Sequence, residues 1–246
     1  MIKKTGRALL YSLFLITSSI TVADWDPEFI ENVDVSTLNN ANYQNLKNKV
    51  IRDLKGSWCS EEKTNLLMDL VLLTKPDICV EIGAWTGSSI LPVGATLQFL
   101  KKGKVYAIDA WSNQIATQYW QDTDPNKAWW STVDMKAIRK TYHNLIKSWN
   151  LKANCVEIWA SSENAVSKFD TIDFLHLDGD YSEEGSLKDV ELYLPKVKSG
   201  GYVLLSNLFV MIRTKQPKLK SFSVLLEECE IVCEIERDNA ILFRKY

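Results

Sequence analysis

Several features that would assign a function quickly are missing from this chain of 246 residues. It has no surplus of positive charge: 29 basic side chains face 31 acidic ones, for a formal net charge of −2. A basic footprint for nucleic acid is therefore absent, and no nucleic-acid partner is expected. Cysteine is sparse and unpatterned, at positions 59, 79, 155, 229 and 233, an odd count without metal-type spacing. Cys79 and Cys155 fall in expected buried strands, where a cysteine packs as a small core residue. Cys229 and Cys233 would pair only if the local backbone brought them together, so no disulfide framework is expected. There is no internal repeat and no low-complexity segment. The apolar run from Ala8 to Ile20 is too short for a comfortable membrane span.

That run has informative flanks. Lys3, Lys4 and Arg7 precede it and Thr21-Val22-Ala23 follows, the layout of a secretory signal peptide over residues 1–23. The competing readings are a helix packed on the domain and an uncleaved anchor. Residues 24–60 are polar, with Phe29, Ile30, Leu38, Tyr43, Leu46, Val50, Ile51 and Leu54 at roughly helical spacing. One or two short helices there would cap a site or form a homodimer contact. A clear helical pattern follows in Glu61–Thr74 through Leu66, Leu67, Leu70, Val71 and Leu73, stopped by Lys75-Pro76-Asp77.

The stretch from Ile78 to Trp111 carries the strongest signal. Ile78–Ile82 is a short apolar run suited to a strand buried on both faces. Gly83 and Gly87 then permit a tight turn with close backbone approach to a ligand. Ser88 or Ser89 can cap the following helix. A second buried strand, Val105–Ile108, ends in Asp109. Strand, glycine turn, helix, strand and acid together bind an adenosine-containing ligand, the carboxylate accepting from ribose hydroxyls. The middle glycine of a dinucleotide fingerprint is missing, because Trp85 stands there. That opposes a nicotinamide cofactor and favours a ligand without phosphates.

Alternation continues downstream. Asp122-Thr123-Asp124-Pro125-Asn126 marks a loop, and Val133–Trp149 reads as a helix. Asn154–Trp159 is a third strand, leading to Ser161 and Ser162. Thr171–Leu177 is a fourth, ending in Asp178-Gly179-Asp180-Tyr181. Ligands of open parallel sheets sit outside the carboxyl ends of strands, so Asp178, Asp180 and Tyr181 are placed to meet a substrate. A helix over Ser186–Leu194, a loop over Pro195–Gly201, a strand Tyr202–Leu205 ending at Ser206-Asn207, and a hairpin-like pair, Glu230–Glu236 with Ile241–Arg244, complete the pattern. Trp111, Trp120, Trp129, Trp130 and Trp149 crowd the segment after Asp109, as a pocket wall or an aromatic mini-core. His143 is expected to be exposed or packing, and His176 to be a satisfied core histidine.

Glu-Ile-Gly-Ala-Trp-Thr-Gly-Ser-Ser from Glu81, followed by Ile-Asp-Ala-Trp from Ile108, resembles the class I S-adenosylmethionine-dependent methyltransferases, most of all their small-molecule and sugar O-methyltransferase branch. The resemblance covers residues 61–246. It implies a Rossmann-like α/β fold with a seven-stranded sheet, mostly parallel with an antiparallel C-terminal strand, and helices on both faces. The implied cofactor is S-adenosylmethionine. Its expected contacts are Glu81, Gly83, Ala84, Trp85, Gly87 and Ser88 at the first turn, and Asp109, Ala110 and Trp111 after the second strand. Ser161, Ser162 and Asp178 complete that set. Asp178, Asp180 and Tyr181 are the expected catalytic group.

Metal-using relatives place one carboxylate after the fourth strand and an acidic or acid-amide pair after the fifth. Here that implies Mg²⁺ on Asp178 and Asn207, with Ser206 where a carboxylate would stand. Tyr181 stands where sugar-modifying relatives often have histidine, and a phenol is a weak base at neutral pH. The alternative is a module that binds the cofactor without turnover; a nicotinamide-dependent oxidoreductase is the third reading. An exported methyltransferase would need a compartment that supplies its cofactor.

Overall fold

The computed structural model describes residues 33–208 and 217–246. The signal-peptide-like segment, Phe29 and Ile30 lie outside them. After a 3₁₀ turn at Val35–Asn39 the helices are α1 (Ala41–Asp53), α2 (Glu61–Thr74), α3 (Ile90–Leu100), α4 (Pro125–Thr132), α5 (Met135–Ser148), α6 (Glu183–Tyr193) and α7 (Leu219–Glu228). Single turns at Asn113–Ala116 and Ser162–Ala165 lie between them. The strands are β1 (Ile78–Ile82), β2 (Lys104–Asp109), β3 (Cys155–Trp159), β4 (Ile172–Leu177), β5 (Val197–Leu205), β6 (Cys229–Ile235) and β7 (Ala240–Lys245).

They form one sheet in the order β3-β2-β1-β4-β5-β7-β6. β7 runs antiparallel to both of its neighbours, and the pairings from β3 to β5 are parallel. The expected seven-stranded sheet is therefore present, with its one reversed strand, the C-terminal β7, inserted between β5 and the edge strand β6. Successive strand residues point to opposite faces. Cys79, Phe174 and Leu204 pack on α2, α3 and α5, while Val80, Ile82, Leu175 and Leu205 pack on α6 and α7. Burial on both sides is what makes the central strands read as continuous apolar runs.

Strand order reverses beside β1: the chain builds β1, β2 and β3 outward, then returns to lay β4 on the other flank. A crevice opens at such a reversal, above the carboxyl ends of the two strands. Gly83 shapes it. Its φ is +89°, and a Cβ there would lie 2.5 Å from the Asp178 carbonyl oxygen. The turns after β1 and β4 thus pass closer than any side chain allows.

Element boundaries depart from the sequence expectation where turn chemistry decides them. β5 begins at Val197 inside the expected loop, with a register irregularity opposite Ile172/Phe174 and Gly200 at φ +74°. α6 begins three residues early because Ser182 accepts from the Gly185 N–H. Asp124 caps α4 where only a loop was expected, and α7 was not anticipated. α1 packs on its own chain: the Tyr43 hydroxyl donates to Asp69, 2.6 Å away, and Lys47 pairs with the same carboxylate. Among the described residues no helix is long and apolar enough to cross a membrane.

Candidate functional site

The crevice is a cleft enclosing about 1180 Å³, part of it open to solvent. One end is built from the turns after β1 and β2. Asp109, at the last position of β2, accepts from the Trp85 N–H at 2.9 Å and the Trp111 N–H at 2.7 Å. Those two residues hold φ values of +48° and +40°, costly for bulky side chains. The indole N–H of Trp111 adds a bond to the Trp85 carbonyl at 3.0 Å. Asp109 therefore clamps two left-handed turns while its carboxylate still lines the cleft. Burial pushes its pKa up to about 6, against the two backbone donors.

Gly83, Trp85, Ser88, Asp109, Ala110, Ser161, Ser162 and Asp178 line this cleft, together with Asp180 and Tyr181. Four expected contacts lie beneath it instead. Glu81 is buried under the turn, where Ser89 donates to it and His176 Nδ1 approaches to 3.1 Å without a hydrogen-bond alignment. Ala84 is buried, and Gly87 packs under Tyr142. Trp111 is also buried, its ring against Tyr142 at 5.3 Å, so the expected adenine contact is a wedge beneath the turn. Ser89 occupies the α3 N-cap position without capping, because its hydroxyl is spent on Glu81.

The other end lies at the tips of β4 and β5. Asp178 Oδ2 meets the Lys63 ammonium at 3.0 Å, and Oδ1 accepts from the Asn207 amide at 2.6 Å. Lys63 Nζ also donates to Ser206 Oγ at 2.9 Å, and His176 Nε2 shares that hydroxyl at 2.9 Å. Asn207 holds φ +61° and reaches the Tyr181 hydroxyl at 3.1 Å. Burial works to raise Asp178, but Lys63, His176 and Lys218 hold it below the usual carboxylate range. Burial works to lower Lys63, but Asp178, together with Cys59 and Glu81, holds the ammonium above its ordinary value. Burial, then the Asp178 charge, push the Tyr181 phenol up.

Asp180 accepts from the Ser182 N–H at 2.6 Å, tying it to the start of α6. Burial raises it, and burial pushes the neighbouring Asp189 up to about 7. Aromatic rings wall the mouth. Trp58 stacks on Trp85 at 5.3 Å, Trp130 meets Trp85 edge-on at 5.4 Å, and Tyr181 lies 6.2 Å from Trp130. The tryptophans after Asp109 thus serve both readings: Trp120 and Trp130 line the cleft, while Trp149 packs beside Lys49. His143 is half exposed and pairs with Glu157.

Sequence reasoning missed Lys63, Trp58 and Asp189. Lys63 sits in a helix read only for its leucines. Asp189, an acid lining the cleft from α6, had no local signal.

No curated protein matches the chain significantly. Solved structures share its fold at low identity. An O-methyltransferase from Bacillus cereus, in complex with S-adenosylhomocysteine (SAH), is 14% identical, covering 82% of this chain and 91% of that one, with a TM-score of 0.55. A SAH-bound Podospora anserina methyltransferase is 13% identical over 89% of this chain and 92% of its own, with a TM-score of 0.52. The O-methyltransferase NovP is 14% identical, covers 83% and 79%, and has a TM-score of 0.54. A family model described as a methyltransferase domain matches residues 80–208, from the third residue of β1 to just past β5. That match spans more than half of the chain and both ends of the cleft, and the chain belongs to this methyltransferase domain family.

Proposed function

We propose that this protein transfers a methyl group from S-adenosylmethionine to an oxygen atom of a small-molecule acceptor. One observation carries the reading. A single cleft is lined by Trp85 and the Asp109 carboxylate at one end, and by Asp178, Asp180 and Tyr181 at the other. The residues fit the cofactor. Gly83 lets the turns after β1 and β4 close together beneath the cleft, and each Asp109 oxygen, bonded to one backbone N–H, keeps a lone pair for a ribose hydroxyl. Ile108, Ala160 and Met135 supply an apolar slot, with Ser161 and Ser162 at its rim for polar contacts to a base. The SAH named for two structural neighbours is consistent with that fit.

When bound, S-adenosylmethionine supplies an electrophilic methyl on a sulfonium. The chain's own task is mostly positioning, because an in-line displacement gains most from correct placement of its reactants. Asp109 fixes one end of the cleft. Trp58, Trp85 and Trp130 shield the middle from water, which strengthens electrostatic interactions inside. Asp178, held as a carboxylate, faces the acceptor end, and Tyr181 meets an acceptor as a neutral phenol.

Calorimetric titration of the full chain with S-adenosylmethionine tests this, alongside Asp109→Ala. Saturable binding weakened in the variant supports the reading, and no binding in the wild type sinks it. Binding without methyl transfer to any of a broad panel of hydroxyl compounds would favour the cofactor-binding module.

Two finer readings rest on the sequence. Export follows from the charged and apolar segment at residues 1–23, and N-terminal sequencing of the mature protein checks it. A homodimer contact through residues 24–60 is checked by light scattering.

A further inference from the structure

The acceptor end holds a lysine where a metal ion would be expected. Lys63 lies in the first turn of α2, its backbone N–H bonded to the Ser60 cap, and its side chain is only 3% exposed. The ammonium reaches Asp178 Oδ2 at 3.0 Å and Ser206 Oγ at 2.9 Å. Asn207 donates its amide to the other Asp178 oxygen at 2.6 Å. Turning that amide over would set its oxygen against a carboxylate, so donation is the favourable arrangement. Both oxygens of the only carboxylate among the implied ligands are thus met by protons.

A hard divalent cation needs several free oxygen acceptors at close range. Here Ser206 is shared between Lys63 and His176, and Asn207 faces Asp178 with its donor side. The donor set does not fit Mg²⁺. What it does fit is a monovalent cation built into the chain. A buried ammonium is sustained only by a paired charge and hydrogen bonds, and Asp178 with Ser206 provides both.

An ammonium has three N–H donors, of which Asp178 and Ser206 engage two. Lys63 also lines the cleft, as Asp178 and Tyr181 do. We propose that Lys63 is the resident cation of the acceptor site: it takes the place of a divalent metal, fixes Asp178, and holds the acceptor oxygen as an anion. The proposal rests on the methyltransferase reading above and narrows the acceptor class. Among the described residues nothing at this end is a strong base, so the acceptor must be acidic enough to ionise beside an ammonium. A phenol is, at roughly pKa 10 unperturbed, whereas an aliphatic sugar hydroxyl is not. The tryptophan wall suits a flat ring. The phenolic proton leaves to water in the cleft. The oxyanion's lone pair then forms the oxygen–methyl bond as the carbon–sulfur bond breaks, and that electron pair stays on sulfur as a neutral thioether.

Mn²⁺ titrated into the full chain, followed by its paramagnetic resonance signal, tests the first half. Wild type should take up no Mn²⁺ at Asp178 at concentrations up to about 1 mM. Lys63→Ala should gain a site at least about tenfold tighter, which Asp178→Asn in the same background removes. A wild-type Mn²⁺ site abolished by Asp178→Asn overturns the proposal, and that comparison stands even if Lys63→Ala does not fold. 4-Nitrophenol tests the second half, since its anion is coloured. Wild type should hold it ionised about one pH unit below its free value, and Lys63→Gln should lose that shift. No shift in wild type contradicts the acceptor assignment. SAH titrated into the same samples separates the two levels: its failure to bind sinks the cofactor reading, while SAH binding beside a wild-type Mn²⁺ site sinks the Lys63 proposal alone.

Discussion

The two ends of the cleft are built by opposite strategies. The cofactor end is local: Gly83, Trp85 and Asp109 lie within 27 residues of each other, on two adjacent strands and their turns. The acceptor end is assembled from distance, with Lys63 bonding partners 115 and 143 positions away. A local device is fixed by backbone geometry and tolerates little change. A distant one is fixed by side-chain charge and hydroxyl contacts, which can be rewired without disturbing the sheet. One fold can therefore keep its cofactor and change its acceptor chemistry.

Substitutions should separate the ends, and the largest effect is expected where backbones meet. Gly83→Ala sets a methyl group 2.5 Å from the Asp178 carbonyl at a φ of +89°. It should cost about 3 kcal/mol in denaturant unfolding and more than about a hundredfold in SAH affinity. Lys63→Met strands a buried Asp178 and should also cost roughly 3 kcal/mol. Its SAH affinity, measured by calorimetry, should stay within about twofold. Loss of SAH binding there would break the distinction between the ends.

Titration gives two smaller tests. Burial raises Asp189 from 3.8 to about 7, so its contribution to stability is full below the unfolded value and lost as pH rises through 7. Asp189→Asn should therefore gain stability over wild type from pH 5 to pH 8, by on the order of 2 kcal/mol across that interval. Thermal melts at the two pH values read it directly. Asp109, raised to about 6 by burial, must be ionised to accept two ribose hydroxyls fully. SAH affinity should accordingly fall as pH drops below about 6, and Asp109→Asn should be some tenfold weaker at pH 8 with that pH dependence removed.

This contrast also explains what was legible in the sequence. β1, the glycine turn and β2 could be read because apolar runs, glycines and a terminal acid act over a few residues. The sheet followed from the repetition of that alternation, and the reversed strand from the hairpin-like pair Glu230–Glu236 and Ile241–Arg244. Lys63 could not be read, since it lies three residues into a helix whose leucines define the buried face, and its partners come from strand ends far along the chain. Trp111 misled for a related reason. Its position after Asp109 suggested a ligand contact, but a φ of +40° turns its ring under the loop onto Tyr142. Ser89 showed the same competition, with a buried carboxylate nearby taking the hydroxyl that capping statistics would assign to the helix.

The most direct test is a crystal structure of the full chain with SAH. The ribose hydroxyls should lie about 2.6–3.2 Å from the Asp109 carboxylate, with the sulfur toward Asp178 and Lys63. A ligand bound with its ribose away from Asp109, or outside this cleft, would contradict the division of the site into a cofactor end and an acceptor end.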